Sequence, residues 1–364
     1  MKKITVIGPL PPPIHGESLA IQSITESKKL NQEFIIQSIN TNRKIIKKPG
    51  GFSLGKVMQD IKIILRVFIL KTDIGYISIS QTKLGLLRDL VIIHLLNYKK
   101  VKVITHLHGN SLGLTIDNLS SFWKKIVRSV FKRVNIGIVL GQSLSHNYQG
   151  FVKDIRVVQN GVSEEFLLNE QIEKAIEIKS KKDFVQIVYL SNLIESKGFL
   201  ILAKCCAELI QEGLSIRLVL AGAIHEKKSY EQLIKLVNKE NCKDKIIYVG
   251  TVFGTEKKQL LLDSDVMVLP TQYKTEGQPL SIIEGMAAAL PIISTKVGCI
   301  EDMINENGIL MEEPTVETLK KAIRKLVKDP EARKGYSIKS RKIYKDEYTL
   351  DSHLHKMEII FNDL

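Results

Sequence analysis

The chain lacks the features that mark membrane-spanning and disulfide-stabilised proteins. No apolar run reaches the ~18 residues that a spanning helix needs, and the longest candidate, residues 61–70, is interrupted by Lys62 and Arg66. Only four cysteines occur, without metal-ligand spacing, and the adjacent Cys205 and Cys206 cannot form an ordinary disulfide. A strand pattern starts at once, which leaves no room for a signal peptide. We therefore expect a protein of the reducing cytoplasm.

Acidic residues are scarce in the first half of the chain. Residues 1–163 contain 24 Lys and Arg against 8 Asp and Glu, whereas residues 164–364 contain 29 against 31. The net charge of +14 therefore comes from the first half, and this asymmetry indicates an anionic partner, either a membrane surface or a nucleic acid. The nucleic-acid alternative ranks last, because the sequence shows no basic strand with interleaved aromatic residues and no recognisable nucleic-acid module.

The length of 364 residues is enough for two domains of ordinary size. Short β-rich apolar runs alternate with helical patterns, which predicts parallel sheets flanked by helices. We place a first domain at 1–163, a polar linker at 164–182 and a second domain at 183–345. The predicted strands are residues 4–8, 34–39, 74–80, 101–107, 136–140, 155–158, 185–190, 216–221, 246–249, 266–270 and 291–295. Ligands of such folds bind at the carboxyl ends of the strands.

The most informative segment is residues 275–287. Pro279 suits the first turn of a helix that continues from Leu280, and a helix start attracts phosphate through its free N–H groups and its dipole. Glu276 lies in the loop beside this anion site, and Glu284 lies slightly over one turn inside the helix. Because a carboxylate repels phosphate but accepts hydrogen bonds from hydroxyls, we predict a ligand with both a phosphate and sugar hydroxyls.

Residues 8–18 form a loop after the first predicted strand. Three consecutive prolines stiffen it, and it lacks the three glycines of the dinucleotide-binding fingerprint. His15 and Gly16 end the loop, and Gly16 offers a bare N–H at the start of a predicted helix, residues 18–27. The alternative interpretation is a rigid structural turn.

Two histidines end the fourth predicted strand. Alternation puts His106 and His108 on the same side of it, with His108 nearer the carboxyl end, and we interpret His106 as packing. The triplet from Asp263 to Asp265 has the composition of a cation-binding cluster, but Asp265 runs directly into an apolar strand. We therefore predict no metal site there.

A basic amphipathic stretch spans residues 122–133. Its apolar side is compatible with an ordinary surface helix that packs on a sheet. Its basic residues would instead add attraction to anionic lipid, roughly 1 kcal/mol each near the surface. With the basic runs 43–48 and 99–102 in the same half, we favour membrane contact. The predicted contact residues are Trp123, Lys124, Lys125, Arg128, Lys132 and Arg133.

Taken together, these segments resemble the retaining nucleotide-sugar glycosyltransferases of family 4. The resemblance rests on Glu276 and Glu284 with seven residues between them, on the helix and strand that follow, and on Lys197-Gly198. It implies the GT-B fold, an α/β architecture of two doubly wound Rossmann-like domains facing a central cleft. It further implies that the C-terminal helix, residues 346–364, crosses back to the first domain.

The resemblance also implies roles for single residues. Glu276, His108 and Lys197 correspond to catalytic positions, and His15 and Gly16 to the acceptor side. The donor-binding positions are Gly16, Asn192, Lys197, Glu276, Gly277, Gln278, Pro279, Leu280, Ser281 and Glu284. Asn192 stands where the family has an arginine, so one fixed cation is missing. Either another basic residue substitutes for it, or Lys197 and backbone groups hold the phosphates alone.

The activity implied by the resemblance is transfer of a sugar from a nucleoside diphosphate to an acceptor hydroxyl with retention, without a metal or other cofactor. The basic first half points to a lipid-linked saccharide acceptor at the inner face of the cytoplasmic membrane, as in assembly of bacterial surface polysaccharides such as O-antigen or capsule. A nucleotide-sugar epimerase, which needs no acceptor, is the main alternative. The base, the sugar, the linkage and the oligomeric state are not predicted.

Overall fold

The computed structural model describes residues 1–42 and 54–364, which form two compact units. The first unit comprises Met1–Asn160 together with Leu350–Leu364, and the second comprises Gly161–Thr349. The basic run 43–48 lies outside the described residues.

The first unit is built on a six-stranded, fully parallel sheet with strand order β2-β1-β3-β4-β5-β6. Its inner strands are continuous apolar runs because both faces of the sheet are covered. Ile4, for example, pairs with Ile36 on one side and Ile74 on the other. The strands are β1 Lys3–Gly8, β2 Ile35–Asn40, β3 Ile74–Ser78, β4 Lys102–Leu107, β5 Ile136–Val139 and β6 Ile155–Val157.

Seven helices belong to the described part of the first unit, and the last of them comes from the C-terminus of the chain. Phe361 on this C-terminal helix packs edge to face on Phe34 and Tyr76, at ring-centroid distances of 5.6 and 6.3 Å. The helices are α1 Gly16–Thr25, α2 Lys28–Glu33, α3 Leu54–Ile69, α4 Lys83–Tyr98, α5 Leu112–Asp117, α6 Ser121–Phe131 and α15 Leu350–Asn362. The C-terminal segment therefore completes the core of the first unit.

The second unit repeats the plan with a parallel sheet of order β12-β11-β10-β7-β8-β9. Its strands are β7 Val185–Leu190, β8 Ile216–Ala221, β9 Ile246–Tyr248, β10 Val266–Leu269, β11 Ile292–Thr295 and β12 Gly308–Met311. Its helices are α7 Asn169–Ser180, α8 Phe199–Gln211, α9 Lys227–Lys239, α10 Gly254–Asp263, α11 Leu280–Ala287, α12 Ile300–Met303, α13 Val316–Lys328 and α14 Pro330–Glu347. A side-chain cap from Thr315 starts α13, and Asp329 with Pro330 starts α14.

The structure differs from the sequence-based expectation in three places. Strand β12, a four-residue strand on a sheet edge, was not predicted. The predicted linker contains the regular helix α7, which buries Ile172 and Ala175. Helix α1 begins at Gly16 rather than at residue 18, since His15 already caps it.

Candidate functional site

The second sheet has a topological switch point between β7 and β10. Strands β8 and β9 follow β7 on one side, whereas β10, β11 and β12 lie on the other. The chain therefore continues in opposite directions along the sheet from β7 and from β10. The carboxyl ends of two such strands form the usual ligand-binding crevice of an open α/β sheet. These two loops, residues 191–198 and 270–279, contain Asn192, Lys197 and Glu276, which the sequence analysis named as donor-binding positions.

The two loops touch each other, and one glycine makes the contact possible. Gly198 adopts a left-handed φ of +84°, and a Cβ built on it would lie 2.2 Å from the carbonyl oxygen of Pro270. Any larger residue would have to displace that backbone. The Gln272 amide donates to the Ser196 carbonyl at 2.6 Å, which closes the contact.

Lys197 and Glu276 face each other across this contact. The Lys197 Nζ lies 3.2 Å from Glu276 Oε2, and the two side chains are only 16% and 10% exposed. The ammonium also lies 5.2 Å from the centroid of the Tyr273 ring. Two residues that the sequence placed in one site are thus adjacent, and a cation and an anion are held together in a largely desolvated position.

The N-terminus of α11 lies immediately after Glu276 in the chain. Pro279 is the N-cap residue, one position before the helix, and within the described part of the chain no side chain caps the first N–H groups of α11. Such a helix start favours an anion by its dipole and its free donors. Leu280 and Ser281 are the first two residues of the helix and carry such N–H groups.

The loop before α11 is held by the turn that follows β11. Gly298 has a φ of +62°, and a Cβ there would lie 2.4 Å from the carbonyl oxygens of both Glu276 and Gly277. The Cys299 amide donates to Gly277 O at 3.0 Å, and the Cys299 thiol donates to the same oxygen at 3.3 Å. The backbone around Glu276 is therefore fixed independently of its side chain.

Glu284 has a partner that the sequence did not indicate. Lys257 Nζ, from α10, lies 2.5 Å from Glu284 Oε1, and the two side chains are 22% and 13% exposed. Burial raises the pKa of Glu284, and the Lys257 ammonium opposes that rise. The same ammonium lies 5.7 Å from the centroid of the Phe166 ring. Glu284 lies just beyond the first turn of α11, so this ion pair ties α10 to α11 there.

Asn192 supplies no charge to the site. Its side-chain oxygen accepts a hydrogen bond from the Ala223 amide at 3.4 Å, and its backbone carbonyl accepts one from the Tyr189 hydroxyl at 3.1 Å. The side chain thus fixes the loop after β7 to the loop after β8. The position where the family has an arginine therefore carries no cation in this chain, and Lys257 is the lysine that pairs with Glu284 of α11.

The first unit has its own switch point, between β1 and β3. The proline-rich loop after β1 ends in His15, whose Nδ1 accepts from the Ser18 amide at 3.2 Å, while Ser18 Oγ accepts from the His15 amide at 3.0 Å. Gly16 is the first residue of α1. Glu17 turns inward and accepts a hydrogen bond from the Ser78 hydroxyl at the end of β3, and burial raises the pKa of its carboxyl.

Three histidines form a shielded cluster in the first unit. The rings of His106 and His108 stack with centroids 4.0 Å apart, which confirms that they share one side of β4. The Tyr76 hydroxyl lies 2.6 Å from His106 Nδ1, and His353 of α15 lies with its Nδ1 2.6 Å from the Gln159 carbonyl. Burial is the main cause that lowers the pKa of His108 to about 3 and of His353 to about 4.

His106 and His353 each have one ring nitrogen without a partner among the described residues, whereas His108 has two. Both of its ring nitrogens are shielded from solvent, and no group among the described residues hydrogen-bonds to either of them. His353 and His15 are close enough to lower its pKa further by charge repulsion. Its imidazole is therefore neutral near pH 7, with one N–H donor and one lone pair to offer to a ligand.

The predicted membrane-contact residues lie on and just after α6. Val127 and Phe131 are buried, so most of the apolar side of this helix packs inward. Trp123 and Phe122 project outward as an edge-to-face pair, with ring centroids 5.8 Å apart. Lys125, Arg128, Lys132 and Arg133 are exposed, and Lys124 is half-buried. The helix thus presents a basic surface with a small aromatic edge.

No cluster of three His, Cys, Asp or Glu side chains in residues 1–42 and 54–364 is arranged to hold a metal ion. Asp265 instead accepts a hydrogen bond from the Gln186 amide at 2.8 Å and joins β10 to β7. Across the same described residues, no helix is both long and apolar enough to cross a bilayer.

Comparison with known proteins identifies the class to which this site belongs. Residues 170–343 match the family described as glycosyl transferases group 1. The whole chain superposes on HepE of Anabaena, whose crystal structure is a complex with UDP, with a TM-score of 0.76, 16% identity and complete coverage of both chains. The fold is therefore that of the GT-B glycosyltransferases, and the predicted α/β class with two Rossmann-like domains is confirmed.

Two curated relatives agree with this assignment. N-acetyl-alpha-D-glucosaminyl L-malate synthase of Bacillus anthracis is 22% identical over 274 residues, which cover 73% of this chain and 69% of the relative. WcaL of Escherichia coli, a glycosyltransferase assigned to colanic acid biosynthesis, is 25% identical over 148 residues, 39% of this chain and 36% of the relative. Residues 170–343 of the chain are thus similar to the group 1 glycosyltransferases, and the narrower assignment to family 4 stays a prediction.

Proposed function

We propose that the protein is a retaining glycosyltransferase that takes a sugar from a nucleoside diphosphate and adds it to the hydroxyl of a lipid-linked saccharide. The observation that carries the proposal is the arrangement at the β7/β10 switch point. A helix start without a side-chain cap and the Lys197–Glu276 pair lie together there, in the segment that matches the glycosyltransferase family.

The donor would be bound by exchange of two internal ion pairs. Each carboxylate of the site is held by a lysine, Glu276 by Lys197 and Glu284 by Lys257. A nucleoside diphosphate sugar offers hydroxyls to the carboxylates and phosphates to the ammonium groups, so both pairs can be replaced without leaving a buried charge unpaired. Glu276 would then hold hydroxyls of the transferred sugar, and Glu284 those of the ribose.

The diphosphate leaving group needs positive charge, because negative charge develops on it as the glycosidic bond breaks. Lys197 and the N–H groups around Leu280 would supply part of it. We propose that Lys257 supplies the rest, in place of the arginine that Asn192 replaces. With the leaving phosphate accepting the proton of the acceptor hydroxyl, no protein nucleophile and no metal are required in this scheme, which the resemblance to retaining family members supports.

The proposed acceptor rests on the charge of the first half of the chain and on one of the relatives. The first half of the chain carries a large excess of basic residues, and WcaL is assigned to the synthesis of a bacterial polysaccharide. A saccharide carried on an anionic lipid phosphate at a membrane surface would match both. His108, neutral and without a protein partner, stays a predicted contact of the transferred sugar by resemblance to the family.

A donor panel tests the proposal. Thermal unfolding is followed with common nucleotide sugars, and a donor at 100 times its Kd should stabilise the protein by about 2.7 kcal/mol. Glu284→Ala should remove this stabilisation, whereas Glu208→Ala, which breaks an ion pair with Lys320, should keep it. Stabilisation by no nucleotide sugar, or equal stabilisation of the Glu284 variant, would contradict the donor site. Formation of an epimeric nucleotide sugar without acceptor would instead identify an epimerase.

A further inference from the structure

Helix α3 of the first unit exposes a continuous apolar stripe. Its inner side packs into the unit through Ile63 and Val67, both nearly inaccessible to solvent. Six large apolar side chains on the other side are between 38% and 77% exposed, namely Val57, Met58, Ile61, Leu65, Phe68 and Ile69. At 3.6 residues per turn these six positions fall within an arc of about 120°, so they form one stripe along the whole helix.

A stripe of this size is unusual on a water-exposed surface. Scattered apolar residues are normal, but contiguous apolar patches mark interaction sites. The next helix, α4, packs against α3 and adds the exposed side chains Leu84, Leu87 and Val91 to the apolar surface of this unit. On α6, where the sequence predicts membrane contact, Val127 and Phe131 are buried and only Phe122 and Trp123 are exposed apolar side chains.

The charges on α3 decide what the stripe contacts. Lys62 and Arg66 are exposed and border one edge of the stripe. The single acidic residue of the helix, Asp60, points away from solvent to Arg88, with 3.6 Å between Asp60 Oδ1 and the guanidinium. A second copy of this surface would therefore offer no exposed acidic residue from α3 to pair with Lys62 and Arg66. An anionic lipid surface complements both the stripe and its basic edge.

We propose that α3 lies in the plane of an anionic membrane, with the stripe among the acyl chains and Lys62 and Arg66 at the phosphate level. A helix of 16 residues is about 24 Å long, too short to cross the hydrocarbon core but suited to lie along its surface. The inference deepens the proposed function, since it names the surface that would bring a lipid-linked acceptor to the enzyme. It does not depend on the identity of the donor.

Vesicle co-sedimentation of the full chain tests this assignment. The vesicles are made of phosphatidylcholine alone or of equal parts phosphatidylcholine and phosphatidylglycerol. Leu65→Gln with Phe68→Gln should lower the partition coefficient on the anionic vesicles about thirtyfold. About half of the surface of each apolar side chain would be transferred from water into the membrane in the wild type, and the double variant loses this transfer. Lys62→Glu with Arg66→Glu should abolish the preference for anionic over neutral vesicles.

A matched pair of single variants separates the stripe from general surface hydrophobicity. Ile61 on α3 and Ile359 on α15 are 45% and 46% exposed, and both belong to the first unit. Ile61→Gln should weaken vesicle binding several-fold, whereas Ile359→Gln should leave it unchanged. Thermal stabilisation by nucleotide is measured on every variant, so that a folding defect or a failure of the donor site is recognised separately.

Three results would overturn the inference. One is vesicle binding by the Leu65 and Phe68 double variant that equals that of the wild type. Another is loss of binding only when Lys124, Lys125 and Arg128 of α6 are reversed in charge. The third is a result from light scattering in which the wild type is a dimer, and the stripe variants are monomers that still bind vesicles. The stripe would then be a subunit interface.

Discussion

Replacement of Lys257 by methionine tests the proposed exchange of ion pairs. Methionine keeps most of the apolar stem but removes the ammonium that lies 2.5 Å from Glu284. A hydrogen bond to a charged group contributes about 1.5–3 kcal/mol, so loss of the phosphate contact should weaken nucleoside diphosphate binding about 10- to 150-fold. The nucleoside alone should bind at least as well as to the wild type, because no Lys257–Glu284 pair has to be broken.

Calorimetric titration with the nucleoside, its monophosphate and its diphosphate measures this difference. Lys258→Met is the matched control, since Lys258 is the neighbouring lysine at the same 5.7 Å from the Phe166 ring but donates to the Glu165 carbonyl instead of a carboxylate. It should change all three affinities by less than about twofold. Equal losses for nucleoside and diphosphate in the Lys257 variant would show that this lysine acts only through Glu284, and the exchange would be refuted.

The same variant should also change the response to pH. Burial raises the pKa of Glu284, and Lys257 is the group that opposes the rise, so the substitution should raise this pKa further. A carboxyl whose pKa is higher in the folded protein than in the unfolded chain takes up its proton more readily when folded. The free energy of unfolding of the variant should therefore be lower than that of the wild type above this pKa. The difference should shrink as pH falls through the pKa. Denaturant unfolding of both proteins in buffers between about pH 5 and pH 8 checks the sign of this stability difference.

Three further predictions concern other parts of the molecule. Glu276→Gln should abolish sugar transfer, measured by product formation, while titrated diphosphate affinity stays within about tenfold, since the diphosphate contacts remain. Gly198→Ala should lower the free energy of unfolding in urea by about 2–4 kcal/mol. The control Gly213→Ala has a similar φ of +86° but open space around it, and it should cost about 1–2 kcal/mol. Equal costs would contradict the close approach of Gly198 to Pro270. Because burial lowers the pKa values of His106, His108 and His353, stability should fall as pH drops below 6.5, by about 1.4 kcal/mol per pH unit for each neutral histidine. His353→Gln should reduce that slope by about a third, and an unchanged slope would argue against a buried neutral His353.

Most of the fold could be predicted from the sequence because the inner strands of both sheets are buried on both faces. Such strands appear as apolar runs, and the eight inner strands together with three edge strands make up the eleven that were predicted among the twelve strands of the described residues. The edge strand β12, which is four residues long and only partly buried, was missed. Helix α7 was interpreted as a linker because its surface is polar and only Ile172 and Ala175 face the core.

The site was predictable where it is encoded locally. Glu276, Pro279 and Glu284 are close in sequence, and the helix start between them is visible as a pattern. Lys257 was not predictable, because it lies 27 positions before Glu284 in the chain, on a different helix. No local pattern singles out one lysine among several. The stripe on α3 was missed for a related reason: an apolar helix face has the same sequence pattern whether the fold covers it or leaves it exposed.

The most direct test of the central claim is a crystal structure of the protein with a bound nucleoside diphosphate sugar. We expect the diphosphate at the N-terminus of α11 within hydrogen-bond distance of Lys197 and Lys257, with Glu284 on the ribose hydroxyls and Glu276 on the sugar. A donor bound elsewhere, or one bound there with both lysines still paired to their glutamates, would contradict it.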